Sequence, residues 1–150
     1  MKNKTNCIKY FITLIFLFLI TNIALTNNFE GSVYSGKAVS TKSGKSWPVS
    51  VKIASYNPSS GSVEGEIEWS SLNSVHKILG ELISSRFTFK EVAYIKKGSA
   101  HLNCQYVTTL SDNRISGTWT DPSADHGTIE IEKTSESGES VIHHGPIVIK

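Results

Sequence analysis

The stretch Val63-Glu64-Gly65-Glu66-Ile67-Glu68-Trp69 alternates without interruption between apolar or small residues and glutamates. Successive side chains of an extended chain point to opposite faces, so this segment buries one face and wets the other as a strand. Val63, Gly65, Ile67 and Trp69 are expected inside, with the three glutamates outside as a solubility face of a one-side-wet antiparallel sheet.

The same period recurs along the chain. Val49, Val51 and Ile53 alternate with Ser50, Lys52 and Ala54, from just after Pro48 to before Asn57-Pro58, where a turn at Asn57 to Gly61 follows. Further strands are predicted at Arg86 to Ile95, with Phe87, Phe89, Ala93 and Ile95 in phase, at Ala100 to Leu110, at Asn113 to Thr120 and at Gly127 to Lys133. Lys97-Gly98 and Ser111-Asp112-Asn113 supply turns, and Asp121 to Gly127 is a longer polar connection. Ser70 to Ser84 is ambiguous, because Leu72, Val75, Leu79, Leu82 and Ile83 also fit a helical stripe. Gly80 costs a helix about 1 kcal/mol relative to Ala, and a hairpin around Ser84-Ser85 suits the flanking segments, so a strand is preferred. Residues 134–150 read as a flexible linker followed by an edge strand or tail, with Pro146 favouring either.

Glycine inside a strand recurs in Val63-Glu-Gly65-Glu-Ile-Glu-Trp69 and Ile115-Ser-Gly117-Thr-Trp119, and in degenerate form at Ile78-Leu-Gly80. Such glycines mark bulges, bends or close backbone approaches, which a sheet uses to curl shut. Closure also removes exposed edges. The expected fold is therefore all-β: an antiparallel meander of about eight strands closing into a small barrel or barrel-like sandwich. Ile115-Ser-Gly-Thr-Trp119 and the run of strands resemble the calycin type of small barrel, the lipocalin and avidin group of ligand carriers. The Gly-x-Trp lies near the carboxyl end here, whereas lipocalins carry it on the first strand. The resemblance implies an architecture, and no binding residue is carried over from it.

The amino terminus bounds the compartment. Met1 to Lys9 is polar and cationic, and Tyr10 to Ile20 is an apolar run with one hydroxyl, too short for the roughly 20 residues of a bilayer span. Residues 1–26 thus read as a signal peptide, with Ala24-Leu25-Thr26 suiting a cut before Asn27; an uncleaved signal anchor is the alternative. A secreted, extracellular protein is expected, its single β domain spanning 27–133. The chain has 15 Lys and Arg against 13 Asp and Glu, and removing Lys2, Lys4 and Lys9 with the signal leaves 12 against 13. A near-neutral domain argues against nucleic-acid binding. Cys7 would leave with the signal, so Cys104 has no internal disulfide partner. Its apolar phase predicts burial, and an intermolecular bridge is the alternative.

Few residues look chemical. Glu91 shares the phase of Phe87 and Phe89, and a carboxylate on an apolar face needs a partner or a ligand. Tyr106 is its expected partner if Arg86–Ile95 and Ala100–Leu110 pair, either as an ordinary core hydrogen bond or as the polar anchor of a cavity. Trp69 and Trp119 suit core packing or stacking on a ligand. Trp47, within the basic, Ser-rich segment Lys37 to Ser50, is less easily buried and is either a candidate partner-binding residue at a barrel mouth or a residue packed at its rim. His101-Leu-Asn-Cys104 on a strand would point two ways, and Asp121 to Gly127 lacks calcium-loop spacing, so no metal or cofactor is expected. No nucleophile elbow, phosphate loop or zinc-protease helix occurs. The expectation is a non-enzymatic carrier or sensor of a small, partly apolar ligand, lined by Trp69, Phe87, Phe89, Glu91, Tyr106 and Trp119. The alternative is an extracellular module with a filled core that binds a protein or glycan through its loops. No membrane association is expected after signal cleavage, and the oligomeric state is left open.

Overall fold

The computed structural model describes residues 29–135. Eight antiparallel strands follow one another round a closed barrel: β1 (Val33–Ser40), β2 (Ser46–Tyr56), β3 (Ser62–Trp69), β4 (Ser74–Ile83), β5 (Arg86–Lys96), β6 (Gln105–Ser111), β7 (Arg114–Thr120) and β8 (His126–Ser135). β8 pairs with β1 along Tyr34↔Lys133 to Ser40↔Gly127 and closes the sheet. The meander is therefore a barrel rather than an open sandwich, and eight strands leave an interior that side chains alone can fill.

The phase read from Val63 to Trp69 holds, with Val63, Ile67 and Trp69 buried and Glu64 and Glu68 exposed. Ser70 to Ser84 resolves as a 3-10 turn at Ser70–Leu72 followed by β4, so His76, Ile78 and Leu82 point inward while Leu79 and Ile83 face water. Gly65 and Gly117 are sites of close approach: a methyl group there would collide with the carbonyl oxygens of Lys52 and Val107 respectively.

Three features depart from the sequence pattern. That pattern shows seven strands and leaves 141–150 as an edge strand or tail, which lies outside the described residues, as does the expected signal segment 1–26; the strand it does not show is β1. β5 does not keep its phase, because Ile78 pairs with Glu91 but Lys77 pairs with Ala93, leaving Val92 as an extra residue. The bulge turns Ala93 and Ile95 outward, Ile95 to 54 % exposure, and brings Tyr94 opposite His76 instead. Finally, residues 100–104 are not strand. Past the Glu91 N–H to Cys104 carbonyl bond (3.0 Å), the bulged β5 no longer continues the ladder, so the chain ahead of β6 has no strand to pair with there. The segment instead folds against the start of β4, where Ser99 N donates to the Leu72 carbonyl (2.9 Å) and Ala100 N to Ser74 Oγ (3.1 Å).

The two poles of the barrel differ. The β2–β3, β4–β5 and β6–β7 turns meet at one pole, where Phe29 is 1 % exposed. Its ring lies 5.5 Å from those of both Tyr56 and Phe87, edge to face, and 6.3 Å from Tyr34. This pole is plugged. The β1–β2, β3–β4, β5–β6 and β7–β8 connections gather at the other pole, which forms a mouth.

Candidate functional site

Three tryptophans stand at the mouth because each occupies the inward phase near the mouth end of its strand. Each also faces a small neighbour: Trp47 pairs with Ala38, Trp69 with Ser74, and Trp119 with Gly127. Large opposite small is the pairing that lets bulky rings enter a narrow barrel without displacing the wall. The rings meet pairwise at centroid distances of 6.3, 6.3 and 6.5 Å and interplanar angles of 79°, 77° and 81°. Trp119 Nε1 donates to the Thr128 carbonyl at 3.2 Å and Trp69 Nε1 to Glu91 Oε1 at 3.0 Å, so both buried indoles are held in place.

The three rings line a cavity of about 360 Å³ open at the mouth, completed by Leu72, Ala100 and Cys104 and by the polar residues Lys45, Ser99, His101, Asp121, Ser123 and Asp125. Asp121 and Asp125 are built into the β7–β8 connection. Asp121 accepts from the backbone N–H groups of Ser123 (2.8 Å) and Asp125 (2.9 Å) and from Ser123 Oγ, while Asp125 accepts from Ser40 Oγ (2.8 Å) and His126 N (2.8 Å). Burial raises the Asp121 pKa, but the bonds from Ser123 and Asp125, with His101 nearby, outweigh it and hold the carboxyl below its ordinary value. His101 Nδ1 lies 3.6 Å from Asp121 Oδ2.

Beneath Trp69 lies a buried polar cluster. Glu91 Oε1 accepts from both Trp69 Nε1 and the Tyr106 hydroxyl, the latter at 2.7 Å, and Oε2 lies 2.8 Å from His76 Nδ1. That last contact is close, but its geometry is not that of a hydrogen bond, so both His76 nitrogens and Glu91 Oε2 lack a hydrogen-bond partner. Tyr94 closes over His76 edge to face at 4.9 Å. Glu91 and Tyr106 thus face one interior, as their strand phases imply. His76 joins them because it shares the inward phase of Ile78 and Leu82, a signal that appears once β4 is read as a strand.

Of the other candidate residues, Phe87 and Phe89 lie in the packed middle. Phe89 stacks on Tyr106 at 4.2 Å and 8°, and Phe87 on Phe89 at 4.7 Å, so both extend the core below the cavity and do not line it. Trp47 does not stand apart as a surface residue but forms a wall of the same cavity as Trp69 and Trp119. Lys45, His101, Asp121 and Asp125 were not singled out by strand phase, because they sit on connections that only closure brings together. Among the described residues no group of three or more histidine, cysteine or acidic side chains is placed to hold a metal ion.

Cys104 is buried and its Sγ lies 3.8 Å from the His101 carbonyl oxygen, toward which it donates. Burial, reinforced by the Glu91 charge, drives its pKa far above the ordinary 9.0, and the same two causes raise Tyr106 above 10.0. Both groups stay protonated in the folded barrel where the unfolded chain would ionise. Their contribution to stability is therefore complete below pH 9 and falls away as pH rises further. Alkaline unfolding should begin above about pH 9 and shift upward in the Tyr106→Phe, Cys104→Ala double variant. An unshifted midpoint in that variant would count against it. In the native state at pH 8, Cys104 should resist thiol reagents and react only on unfolding.

No protein-family model matches the chain, and no curated protein matches it in sequence.

Proposed function

We propose that this protein is a secreted, calycin-like carrier or sensor of a small, partly apolar ligand, which it holds at the mouth of the barrel without catalysis. One observation carries this: a cavity of about 360 Å³ walled by three tryptophans, two of them fixed by hydrogen bonds, over an otherwise filled interior. That volume lies at the small end of the roughly 300–1,000 Å³ of ligand sites, and apolar walls with a few placed polar groups are their usual make-up. The packed Phe29, Phe87, Phe89 and Tyr106 leave the ligand no deeper seat. Trp47, on which recognition of a protein or glycan would rest, contributes here to the same concave wall.

The test is the native mass spectrum of the protein purified from its own host. A retained small mass, lost on denaturation and absent from Trp47→Ala at unchanged melting temperature, supports a carrier. A bare chain, together with Trp47→Ala selectively losing a macromolecular partner, would replace it with an interaction module.

A further inference from the structure

Residues 86–111 hold four permanent cations, Arg86, Lys90, Lys96 and Lys97, and a single acid, Glu91. Glu91 is buried, so the exposed charges of β5, of β6 and of the connection between them are all positive. The large hydrophobic residues that stay exposed among the described residues, Leu79, Ile83, Tyr94, Ile95 and Val107, lie on β4, β5 and β6 as well. β4 adds Glu81, opposite Thr88, and Lys77, which pairs with Glu64 at 3.0 Å. One sector of the barrel wall is therefore apolar and basic, in a domain that is otherwise near neutral. None of the β5 residues lines the mouth cavity.

Within this sector β5 has an open edge. Its ladder with β6 ends at Lys90↔Gln105 and the Glu91 bond to Cys104, whereas its ladder with β4 continues to Val75↔Lys96. Residues 92–96 are thus paired on one side only, over about 16 Å of strand. A strand paired on both sides of a barrel wall buries alternate residues, as β6 does, but Ala93, Tyr94, Ile95, Lys96 and Lys97 are all exposed. The following connection turns away, with Ser99 and Ala100 bonded to Leu72 and Ser74 at the start of β4. Side chains hold the edge extended: Tyr94 packs edge to face on His76, its hydroxyl donates to the Ala100 carbonyl at 3.4 Å, and Lys97 Nζ lies 5.8 Å from its ring. An open edge of this kind is a template for a further strand, with backbone bonds giving affinity and side chains choosing the partner. The lysines make that choice. They disfavour a basic strand and the same basic edge of a second copy, and they complement an acidic one. A lipid surface would leave the unpaired backbone groups unsatisfied, whereas an extended peptide pairs them.

We propose that the open edge of β5 at residues 92–96 receives an extended acidic segment of a partner protein as an added strand, its carboxylates set against Lys90, Lys96 and Lys97. The probe is a labelled, end-capped peptide, Glu-Val-Asp-Val-Glu-Val-Asp, followed by fluorescence polarisation with the protein purified from its own host. It should bind about tenfold or more tighter than the same peptide with lysine at every acidic position. An added strand offers only one of its edges to β5, so of the two forms N-methylated on alternate amides one should lose about tenfold and the other should bind like the parent. Lys96→Glu with Lys97→Glu should keep the melting temperature, lose the acidic peptide and gain the lysine peptide, a reversal that loss of folding would not produce. Failure of the acidic peptide to bind, or equal binding of the acidic and lysine peptides, overturns the proposal. Equal binding of the parent and both N-methylated forms overturns strand addition in favour of contact between charges. Capture by vesicles of phosphatidylserine and phosphatidylcholine without peptide binding, or a dimer that the double variant abolishes, overturns it in favour of a membrane or of a second copy. None of these outcomes bears on whether the mouth holds a small molecule.

Discussion

Glu91→Ala is expected to destabilise the barrel by about 3–5 kcal/mol, the cost of stripping a buried charge cluster of one partner. Three buried groups depend on that carboxylate: Trp69 Nε1, the Tyr106 hydroxyl and, by contact, His76. Each is at most 4 % exposed, so water does not replace what is removed. For a domain of this size the melting temperature should fall by about 15–25 °C. Glu91→Gln keeps an acceptor for Trp69 or Tyr106 and should lose about 1–2 kcal/mol. Replacing Glu91 and His76 together by leucine and phenylalanine should cost less than Glu91→Ala, since it leaves no lone buried imidazole. Urea unfolding of the four proteins decides the matter. A loss under 1 kcal/mol for Glu91→Ala would mean that the cluster holds Trp69 in place without contributing to stability.

Phe29→Ala should cost a similar amount, about 3–5 kcal/mol, for a different reason. The ring fills the plugged pole against Tyr34, Tyr56 and Phe87, and nothing in the turns around it is large enough to take its place. The loss should appear as a lower denaturation midpoint with the tryptophan fluorescence of the folded mouth unchanged, because the plug and the mouth are separated by the stacked Phe87, Phe89 and Tyr106. A parallel change in that fluorescence would show that the interior transmits strain from pole to pole.

How far the sequence reveals this molecule depends on how strongly each segment alternates. β3 is unmistakable because three glutamates stand opposite Val63, Ile67 and Trp69. β1 is nearly silent: the phase of Tyr34 continues through Gly36, Ala38 and Ser40, of which Gly36 is exposed and lies beside Val49 and Ile131, Ala38 lies beside Trp47, and Ser40 lies beside Gly127. Smallness that serves Trp47 looks, in one dimension, like the absence of a strand. The Val92 bulge is likewise invisible, since a local insertion shifts the phase of Ala93 and Ile95 without altering composition. For the site, the phases of Glu91 and Tyr106 foretell their meeting. The acids and the lysine of the mouth belong to connections far apart in sequence, and only the β1–β8 closure makes them neighbours.

That closure has a further consequence for handling the molecule. Val33 lies beside Ser135, so the described chain enters and leaves the barrel side by side at the plugged pole, with the mouth at the opposite end. A surface, label or fusion partner joined at either side of this seam would hold the protein by its base, with the tryptophans turned outward like a cup set upright. Bridging the two ends with a short linker and reopening the chain at the exposed Ser84-Ser85 turn of the same pole would preserve all eight strand pairings. The order in which the strands are synthesised is thus separable from the vessel they build.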